Sequence, residues 1–197
     1  YENSSSNLLV FASDQIIEDL EGFKESVLDA AEIAKKEKIV TFGIKPNFAS
    51  TDFGYIRFKE NEILQFKEKP DLKTAQQYFN SGEYLWNSGM FMFKLKKFFG
   101  EIKSHCPELY KKCQDSKNFI EKMGKHTIFD KDFYDDITDI SIDYAVMEHA
   151  DNLIAVPLSA GWSDLGDWNA VWKEQGPDNK GIVTTQNVTE IDCHNVL

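Results

Sequence analysis

An apolar strand, an amphipathic helix and a second apolar strand follow one another near the start of the chain, and this order constrains the fold most strongly. The apolar run from Asn7 to Ala12 passes directly into Ser13-Asp14-Gln15, which is typical of a central strand with polar residues at its carboxyl end. Apolar residues then recur at helical spacing up to Lys35-Lys36, and Ile39 to Ile44 is the next predicted strand. This order predicts a βαβ unit in a parallel, helix-covered sheet.

Two aspartates follow apolar runs of this kind. Asp14 follows the first predicted strand, and Asp164 lies in Gly161-Trp162-Ser163-Asp164-Leu165-Gly166-Asp167-Trp168, after the apolar run from Leu153 to Leu158. Ligands of open α/β sheets collect at the carboxyl ends of strands. The glycines and tryptophans around Asp164 would hold its carboxylate in a tight, packed turn. Two interpretations remain open: a metal-binding or acid/base carboxylate, or an ordinary cap, from Asp164 or Asp167, of the helix that begins near Gly166.

A polar triplet interrupts another apolar run. The segment from Tyr84 to Phe93 is apolar except for Asn87-Ser88-Gly89 in its middle. Either the Asn87 amide satisfies backbone groups at a bend, or it faces a pocket and binds ligand hydroxyls, since an amide both donates and accepts hydrogen bonds. Gly89 would permit close approach of another backbone.

A predicted β-hairpin precedes that run. Its strands are Asp52 to Phe58 and Ile63 to Phe66, joined by the turn Glu60-Asn61-Glu62. Glu68 and Lys69 come directly after the second strand. From the local sequence alone, a Glu-Lys pair at the end of a strand is an exposed and solvated feature.

Two helix starts contain further polar residues of interest. Asp71 is predicted to cap a short helix after the hairpin. Ser141 is predicted to cap another helix, which places Asp143 in its first turn, where the helix dipole favours a negative charge. That structural interpretation of Asp143 competes evenly with a role in a site.

The remaining segments predict peripheral structure. Lys94 to Gly124 is predicted to form successive helices broken at Pro107, and Phe129 to Ile140 is predicted to be a loop. Residues 182–197 are predicted to be short β segments. Because these segments have no visible partner strand, we interpret them as the stub of another domain or as an oligomer contact. We therefore divide the chain into a main domain, residues 1–181, and a tail, residues 182–197.

Charge and cysteine usage exclude several classes of protein. The net charge of −11 and the single arginine, Arg57, argue against a nucleic-acid-binding surface, although an acidic protein can bind a nucleotide through backbone amides, a few lysines and a divalent cation. The three cysteines form no CxxC pair and no zinc-like cluster, which predicts reduced thiols and a cytoplasmic protein. No apolar run approaches the roughly 20 residues that span a bilayer, so no contact with a membrane is expected.

Seven short blocks stand out when the chain is considered as a whole: Leu-Val-Phe-Ala-Ser-Asp-Gln-Ile-Ile (9–17), Val-Thr-Phe-Gly-Ile-Lys-Pro (40–46), Phe-Gly-Tyr-Ile (53–56), Phe-Lys-Glu-Lys-Pro (66–70), Trp-Asn-Ser-Gly-Met-Phe (86–91), Ser-Ile-Asp-Tyr-Ala-Val-Met-Glu (141–148) and Gly-Trp-Ser-Asp-Leu-Gly-Asp-Trp (161–168). In these blocks and in their order the chain resembles the sugar-phosphate nucleotidylyltransferases. It is most similar to the bacterial mannose-1-phosphate guanylyltransferases, including the form fused to a mannose-6-phosphate isomerase domain. The resemblance runs from Leu8 to Leu197.

This resemblance implies both a fold and a reaction. The fold is an α/β, Rossmann-like, three-layer α/β/α sandwich with a mixed, mainly parallel sheet. The reaction forms GDP-mannose and pyrophosphate from GTP and mannose 1-phosphate with Mg²⁺, and it needs alignment and charge neutralisation more than a covalent nucleophile. The alternatives are a relative that uses another sugar phosphate or nucleotide, and a non-catalytic module that binds sugar nucleotides.

The resemblance also assigns catalytic roles. Asp14 and Asp164 match the two family carboxylates that hold Mg²⁺ between the phosphates, because this metal prefers hard oxygen ligands. Lys69 matches the lysine that faces the sugar phosphate, where a cation offsets crowded negative charge.

Further positions match the family's sugar pocket. By resemblance, Gly54 would offer its backbone N–H, Glu68 would accept hydrogen bonds from sugar hydroxyls, and Asn87 would both donate and accept. Lys69 and Asp143 complete the set of predicted substrate-binding residues.

The chain departs from the family pattern in four places. It has Ala12-Ser13-Asp14-Gln15 where the family usually has Pro-Ala-Asp-His, and Asp52 where the family has a glycine. The family's Gly-rich loop, whose Arg and Lys residues wrap the GTP phosphates, has no match before Leu8, and the isomerase domain has none after Leu197. We therefore expect the chain to be a piece of a longer protein, and we expect these residues alone not to transfer a nucleotide.

Overall fold

The computed structural model describes residues 6–116, 120–123, 126–129, 131–135, 137–185 and 187–197. Its strands are β1 (Asn7–Val10), β2 (Ile16–Ile17), β3 (Ile39–Ile44), β4 (Tyr55–Lys59), β5 (Glu62–Lys67), β6 (Tyr84–Lys94), β7 (Ile120–Met123), β8 (His126–Phe129), β9 (Leu153–Leu158) and β10 (Trp162–Ser163). Its helices are α1 (Leu20–Ala34), α2 (Leu72–Ser81), α3 (Leu95–His105), α4 (Pro107–Asp115), α5 (Lys131–Asp135) and α6 (Trp168–Glu174), with a π-helical turn at Asp143–Met147.

Helical structure covers both faces of a six-stranded sheet. Successive residues of a strand point to opposite faces, so the apolar runs of β3 and β6 contribute to two cores. The core under α1 includes Ala30, Ala34, Val40, Phe42, Met90 and Met92. The core on the opposite face, under α3 and the π-helical turn, includes Ile39, Phe91, Phe93, Ile102, Val146 and Met147. The predicted α/β/α sandwich is confirmed.

The sheet is mixed, as predicted, in the order β1-β6-β3-β9-β5-β4. β1 and β3 run in the same direction, as the predicted βαβ unit requires, but β6 lies antiparallel between them. Within the described ranges, β3 and β9 are the single pair of parallel neighbours in this sheet. The prediction of a mainly parallel sheet is therefore wrong for the pairing of strands. Local periodicity shows that a strand is buried on both faces, and it does not show which later strand inserts beside it.

Turns and caps follow the local sequence closely. The β4–β5 hairpin is confirmed, and its turn residues Glu60 and Asn61 have left-handed φ values of 51° and 71°. The side chain of Asp71 accepts a hydrogen bond from the backbone N–H of Thr74 at 3.0 Å, so Asp71 caps α2 as predicted.

Two peripheral predictions are wrong. α3 and α4 are helical as expected, and α4 begins at Pro107, but β7 and β8 form an antiparallel hairpin and α5 lies in the predicted loop. Residues 117–119, 124–125, 130 and 136 of these segments lie outside the described ranges. In the tail, residues 182–185 and 187–197 contain no strand and make one isolated bridge, between Ile182 and Val196. A β ladder needs a neighbouring strand, and this part of the chain pairs with none. The boundary at residue 181 stays a prediction.

Cys106, Cys113 and Cys193 are free thiols. Among the helices in the described part of the chain, none combines the length and apolar character needed to cross a membrane.

Candidate active site

Four predicted site residues from four segments lie side by side. Gly54 precedes β4, Glu68 follows β5, Asn87 lies in β6, and Asp143 opens the π-helical turn. The Gly54 carbonyl accepts a hydrogen bond from the Asn87 backbone N–H at 2.8 Å, and Nδ2 of Asn87 donates to Oδ1 of Asp143 at 2.8 Å. A Cβ atom at Gly54 would overlap Oε2 of Glu68, so only glycine leaves room for this carboxyl group. We call these four residues the pocket cluster.

A bulge in β6 directs the Asn87 amide. The pairing of β3 with β6 shifts register between Thr41 and Gly43, and Gly89 has a φ of 72° beside this shift. Oδ1 of Asn87 accepts hydrogen bonds from Oγ1 of Thr41 at 2.8 Å and from the backbone N–H of Gly89 at 3.3 Å. The amide therefore satisfies groups at a bend while its nitrogen faces an acidic residue. Thr41 was not predicted as a site residue, although it is the one polar residue in β3.

Glu68 is a buried acid with an unsatisfied oxygen. It is 7% exposed, and its Oε2 has no hydrogen-bond partner. Burial, and after it the negative charge of Asp143, raises the pKa of Glu68 from 4.5 to about 7, against the opposing charge of Lys69. The interpretation of Glu68 as part of a solvated surface pair is therefore wrong. A buried acceptor without a donor is costly, and a ligand hydroxyl would relieve that cost.

Asp143 shares this environment. Burial raises its pKa, and the hydrogen bond from Asn87 and the charge of Lys69 oppose that rise. Asp143 also lies in the first turn of its element, as the structural interpretation of the sequence required. The structural interpretation thus fits its position, and a role for Asp143 in a site stays a prediction.

Lys69 is exposed and lies close enough to Glu68 and Asp143 for its charge to lower the pKa of both. Its φ of 38° is in the left-handed region, which a non-glycine residue adopts at a cost of about 1–2 kcal/mol. Next to it, the backbone N–H of Glu68 donates to Oε1 of Glu148 at 2.8 Å. Glu148 was not predicted as a site residue, although it closes the block at 141–148.

Asp14 and Asp164 lie at the same end of a two-stranded ladder. β2 and β10 are antiparallel, with Ile16 opposite Ser163 and Ile17 opposite Trp162. Asp14 precedes Ile16 by two residues and Asp164 directly follows Ser163, so the two segments leave the ladder together. The side chain of Asp167, and not that of Asp164, caps α6 by accepting from the backbone N–H of Ala170 at 2.7 Å.

The donor chemistry at this end of the ladder suits magnesium. Asp14 is exposed and Asp164 is partly exposed. In the part of the chain that the structure describes, no group of three or more His, Cys, Asp or Glu side chains is arranged to hold a metal. Two carboxylates completed by ligand phosphates and water form the hard-oxygen set that Mg²⁺ takes in proteins, since it rarely uses an all-protein cage.

Gln15 connects this ladder to the pocket cluster. Its Nε2 donates to the carbonyl of Ser88 at 2.9 Å, and its Oε1 accepts from Nε1 of Trp162 at 3.2 Å. The ring of Trp162 also packs against Phe53, the neighbour of Gly54, with centroids 5.4 Å apart. Asp14 and Asp164 are therefore tied to the strand that carries Asn87. Sequence reasoning identified Gln15 only as a departure from the family pattern.

Comparison with known proteins shows the family of the chain. A family model described as nucleotidyl transferase matches residues 1–180. The chain is 40% identical to mannose-1-phosphate guanylyltransferase RfbM of Salmonella typhimurium, over 98% of this chain and 42% of that protein, and 40% identical to xanthan biosynthesis protein XanB of Xanthomonas campestris, over 95% and 41%. It thus spans about two fifths of the length of these curated relatives.

Solved structures show the same fold. A crystal structure titled mannose-6-phosphate isomerase from Helicobacter pylori is 33% identical, with a TM-score of 0.77 over 80% of this chain and 64% of that chain. One titled mannose-1-phosphate geranyltransferase from Thermus thermophilus is 27% identical, with a TM-score of 0.74 over 88% and 51%. With the family match over nearly all of its length, the chain belongs to the nucleotidyl transferase family.

Proposed function

We propose that this chain is the sugar-phosphate-binding and metal-binding part of a guanylyltransferase that makes GDP-mannose and pyrophosphate from GTP and mannose 1-phosphate. The observation that carries the proposal is the pocket cluster, in which the buried Oε2 of Glu68 lacks a donor and Lys69 lies alongside. Sugar hydroxyls would supply donors to this oxygen, and a phosphate on the same sugar suits a nearby ammonium group. The names of the relatives that are 40% identical support the choice of mannose and of the guanylyl group.

The residues of the chain would act by positioning. A phosphate oxygen of mannose 1-phosphate attacks the α-phosphorus of GTP, the bond from that phosphorus to the bridging oxygen breaks, and pyrophosphate leaves. The attacking oxygen is already anionic, so no side chain has to remove a proton from it. Glu68 and Asn87 would hold the sugar, and Lys69 would offset the charge of its phosphate. Asp14 and Asp164 would hold Mg²⁺, whose charge neutralises the phosphates when it is bound.

The test begins with ligand binding. We expect isothermal titration calorimetry to show that the chain binds mannose 1-phosphate more tightly than mannose 6-phosphate or glucose 1-phosphate. Mg²⁺ should strengthen that binding in the wild type and not in Asp164→Asn. A Gln variant of the exposed Glu83, which pairs with Arg57 at the surface, is the matched control.

Turnover is tested on the full-length gene product, because the chain spans only about two fifths of the length of its curated relatives. We expect GDP-mannose and pyrophosphate to form from GTP and mannose 1-phosphate in the presence of Mg²⁺. Parallel assays with ATP, UTP and dTTP show whether the enzyme prefers another nucleotide. Absence of both binding and turnover would overturn the proposal, and binding without turnover would favour a non-catalytic module.

A further inference from the structure

We infer that Glu148 is a positioning residue for this site: its carboxylate fixes the turn Lys67-Glu68-Lys69 against the π-helical turn and so sets where the Glu68 carboxyl and the Lys69 ammonium lie. The inference deepens the proposed function, on which it rests for the identity of the ligand. Neither the sequence blocks nor the family comparison assigns this role.

The contacts of Glu148 converge on one oxygen. Oε1 accepts from the Glu68 backbone N–H at 2.8 Å and from Nζ of Lys67 at 3.2 Å. The Glu148 side chain is 17% exposed, whereas that of Lys67 is 46% exposed. The bond to the backbone is therefore the better shielded of the two, and it anchors the residue that carries the unsatisfied carboxyl oxygen.

The π-helical turn makes this anchor rigid. Asp143 opens the turn and Glu148 directly follows it, with the Glu148 N–H donating to the Asp143 carbonyl at 2.9 Å. The three residues Ala145, Val146 and Met147 are buried in the core. Single π-helical turns are rare and often lie at functional sites. Here one turn places the carboxylate of Asp143 against Asn87 and that of Glu148 against the backbone of Glu68.

Backbone strain beside Glu68 explains why an anchor is needed. Lys69 has a φ of 38°, a conformation that a lysine keeps only when its surroundings enforce it. On one side, Pro70 is buried and restricts the chain. On the other side, Glu148 holds the N–H of Glu68. Loss of Glu148 would leave that N–H without its acceptor and let the Lys69 turn relax.

The negative charge of Glu148 has a second effect, which can be measured separately from that of its hydrogen bond. The pKa of Glu68 is raised mainly by burial, then by Asp143, and Glu148 contributes in the same direction. An amide at position 148 would keep an acceptor oxygen and remove this charge. Glu148→Gln and Glu148→Ala therefore separate the hydrogen bond from the charge.

The experiment compares Glu148→Ala, Glu148→Gln and the control Glu83→Gln with the wild type. Calorimetry with mannose 1-phosphate should show binding weakened about tenfold or more in Glu148→Ala, because a hydrogen bond to a charged acceptor is lost, and within about threefold of wild type in Glu148→Gln. Carbon-13 NMR of the Glu68 carboxyl should show a lower titration midpoint in both variants. The backbone amide of Lys69 should shift in Glu148→Ala alone.

Each outcome decides the inference. Wild-type affinity in Glu148→Ala together with an unchanged Glu68 titration would overturn it, as would a fall in melting temperature with no other effect. If the wild type binds no sugar phosphate, the proposed function fails, whereas the Glu68 midpoint and the Lys69 amide shift still support or overturn the positioning role.

Discussion

Replacing Glu68 by glutamine should change how the stability of the chain depends on pH. Its pKa rises from 4.5 to about 7 on folding, so between these values the folded state binds more protons than the unfolded state. The free energy of unfolding of the wild type therefore falls as pH rises through this interval and levels off above it. Glutamine has nearly the same shape and cannot ionise, so the variant lacks this fall.

The size of the effect follows from the width of the interval. At about 1.4 kcal/mol per pH unit, the interval from 4.5 to about 7 corresponds to about 3 kcal/mol. The stability of Glu68→Gln relative to the wild type should therefore increase by about 3 kcal/mol between pH 4 and pH 8. A constant packing difference between the two side chains does not affect this change.

Urea unfolding followed by circular dichroism at closely spaced pH values measures this difference. The control Glu83→Gln alters a carboxylate that is 56% exposed and paired with Arg57, so its stability difference should vary by less than about 1 kcal/mol. A difference between Glu68→Gln and wild type that stays constant from pH 4 to pH 8 would refute the claim that burial holds the proton on Glu68.

Three other substitutions test the same geometry. Gly54→Ala should lower stability by about 1–3 kcal/mol in urea unfolding, because the new methyl group overlaps Oε2 of Glu68, and it should weaken binding of mannose 1-phosphate; an unchanged affinity would contradict the pocket cluster. Asn87→Ala should lower stability by about 2 kcal/mol, because Asp143 loses the donor of its side-chain hydrogen bond and the Thr41 hydroxyl keeps only the Met90 carbonyl as an acceptor; a loss below about 0.5 kcal/mol would contradict this role. Asp164→Asn should remove the effect of Mg²⁺ on calorimetric affinity while its melting temperature stays within about 3 °C of wild type, and a retained Mg²⁺ effect would count against this residue as a ligand.

Sequence patterns predicted the parts of the fold that depend on neighbouring residues. The strand, helix and strand from β1 to β3, the β4–β5 hairpin and the cap at Asp71 all follow from periodicity and turn chemistry. The choice between Asp164 and Asp167 as a cap was open, because both precede the helix within a few residues. The geometry of Asp167 decides it, since its oxygen reaches the N–H of the third residue after it.

The pairing of strands could not be read from such patterns. β6 inserts antiparallel between β1 and β3 although the hairpin and α2 separate it from both in sequence. A continuous apolar run indicates a strand that is buried on both faces. It is compatible with any neighbouring strand in the sheet. The bulge at Asn87-Ser88-Gly89 was visible as a polar interruption, and its partner Thr41, 46 residues earlier, was not.

The electrostatics of the pocket cluster depends on the same kind of distant contact. Lys67, Glu68 and Lys69 form a charged end of a strand, which local rules place in solvent. Glu68 is buried because the chain returns about 80 residues later, where Glu148 binds its backbone, and because Asn87 and Asp143, 56 residues apart, close over the same region. That return removes water from a carboxyl group whose nearest neighbours in sequence are two lysines, and desolvation outweighs their attraction. The family resemblance had marked Glu68, Asn87 and Asp143 as site residues. Local rules had not, because each resembles an ordinary surface or capping residue, and the burial that raises the pKa of Glu68 arises only in the assembled fold.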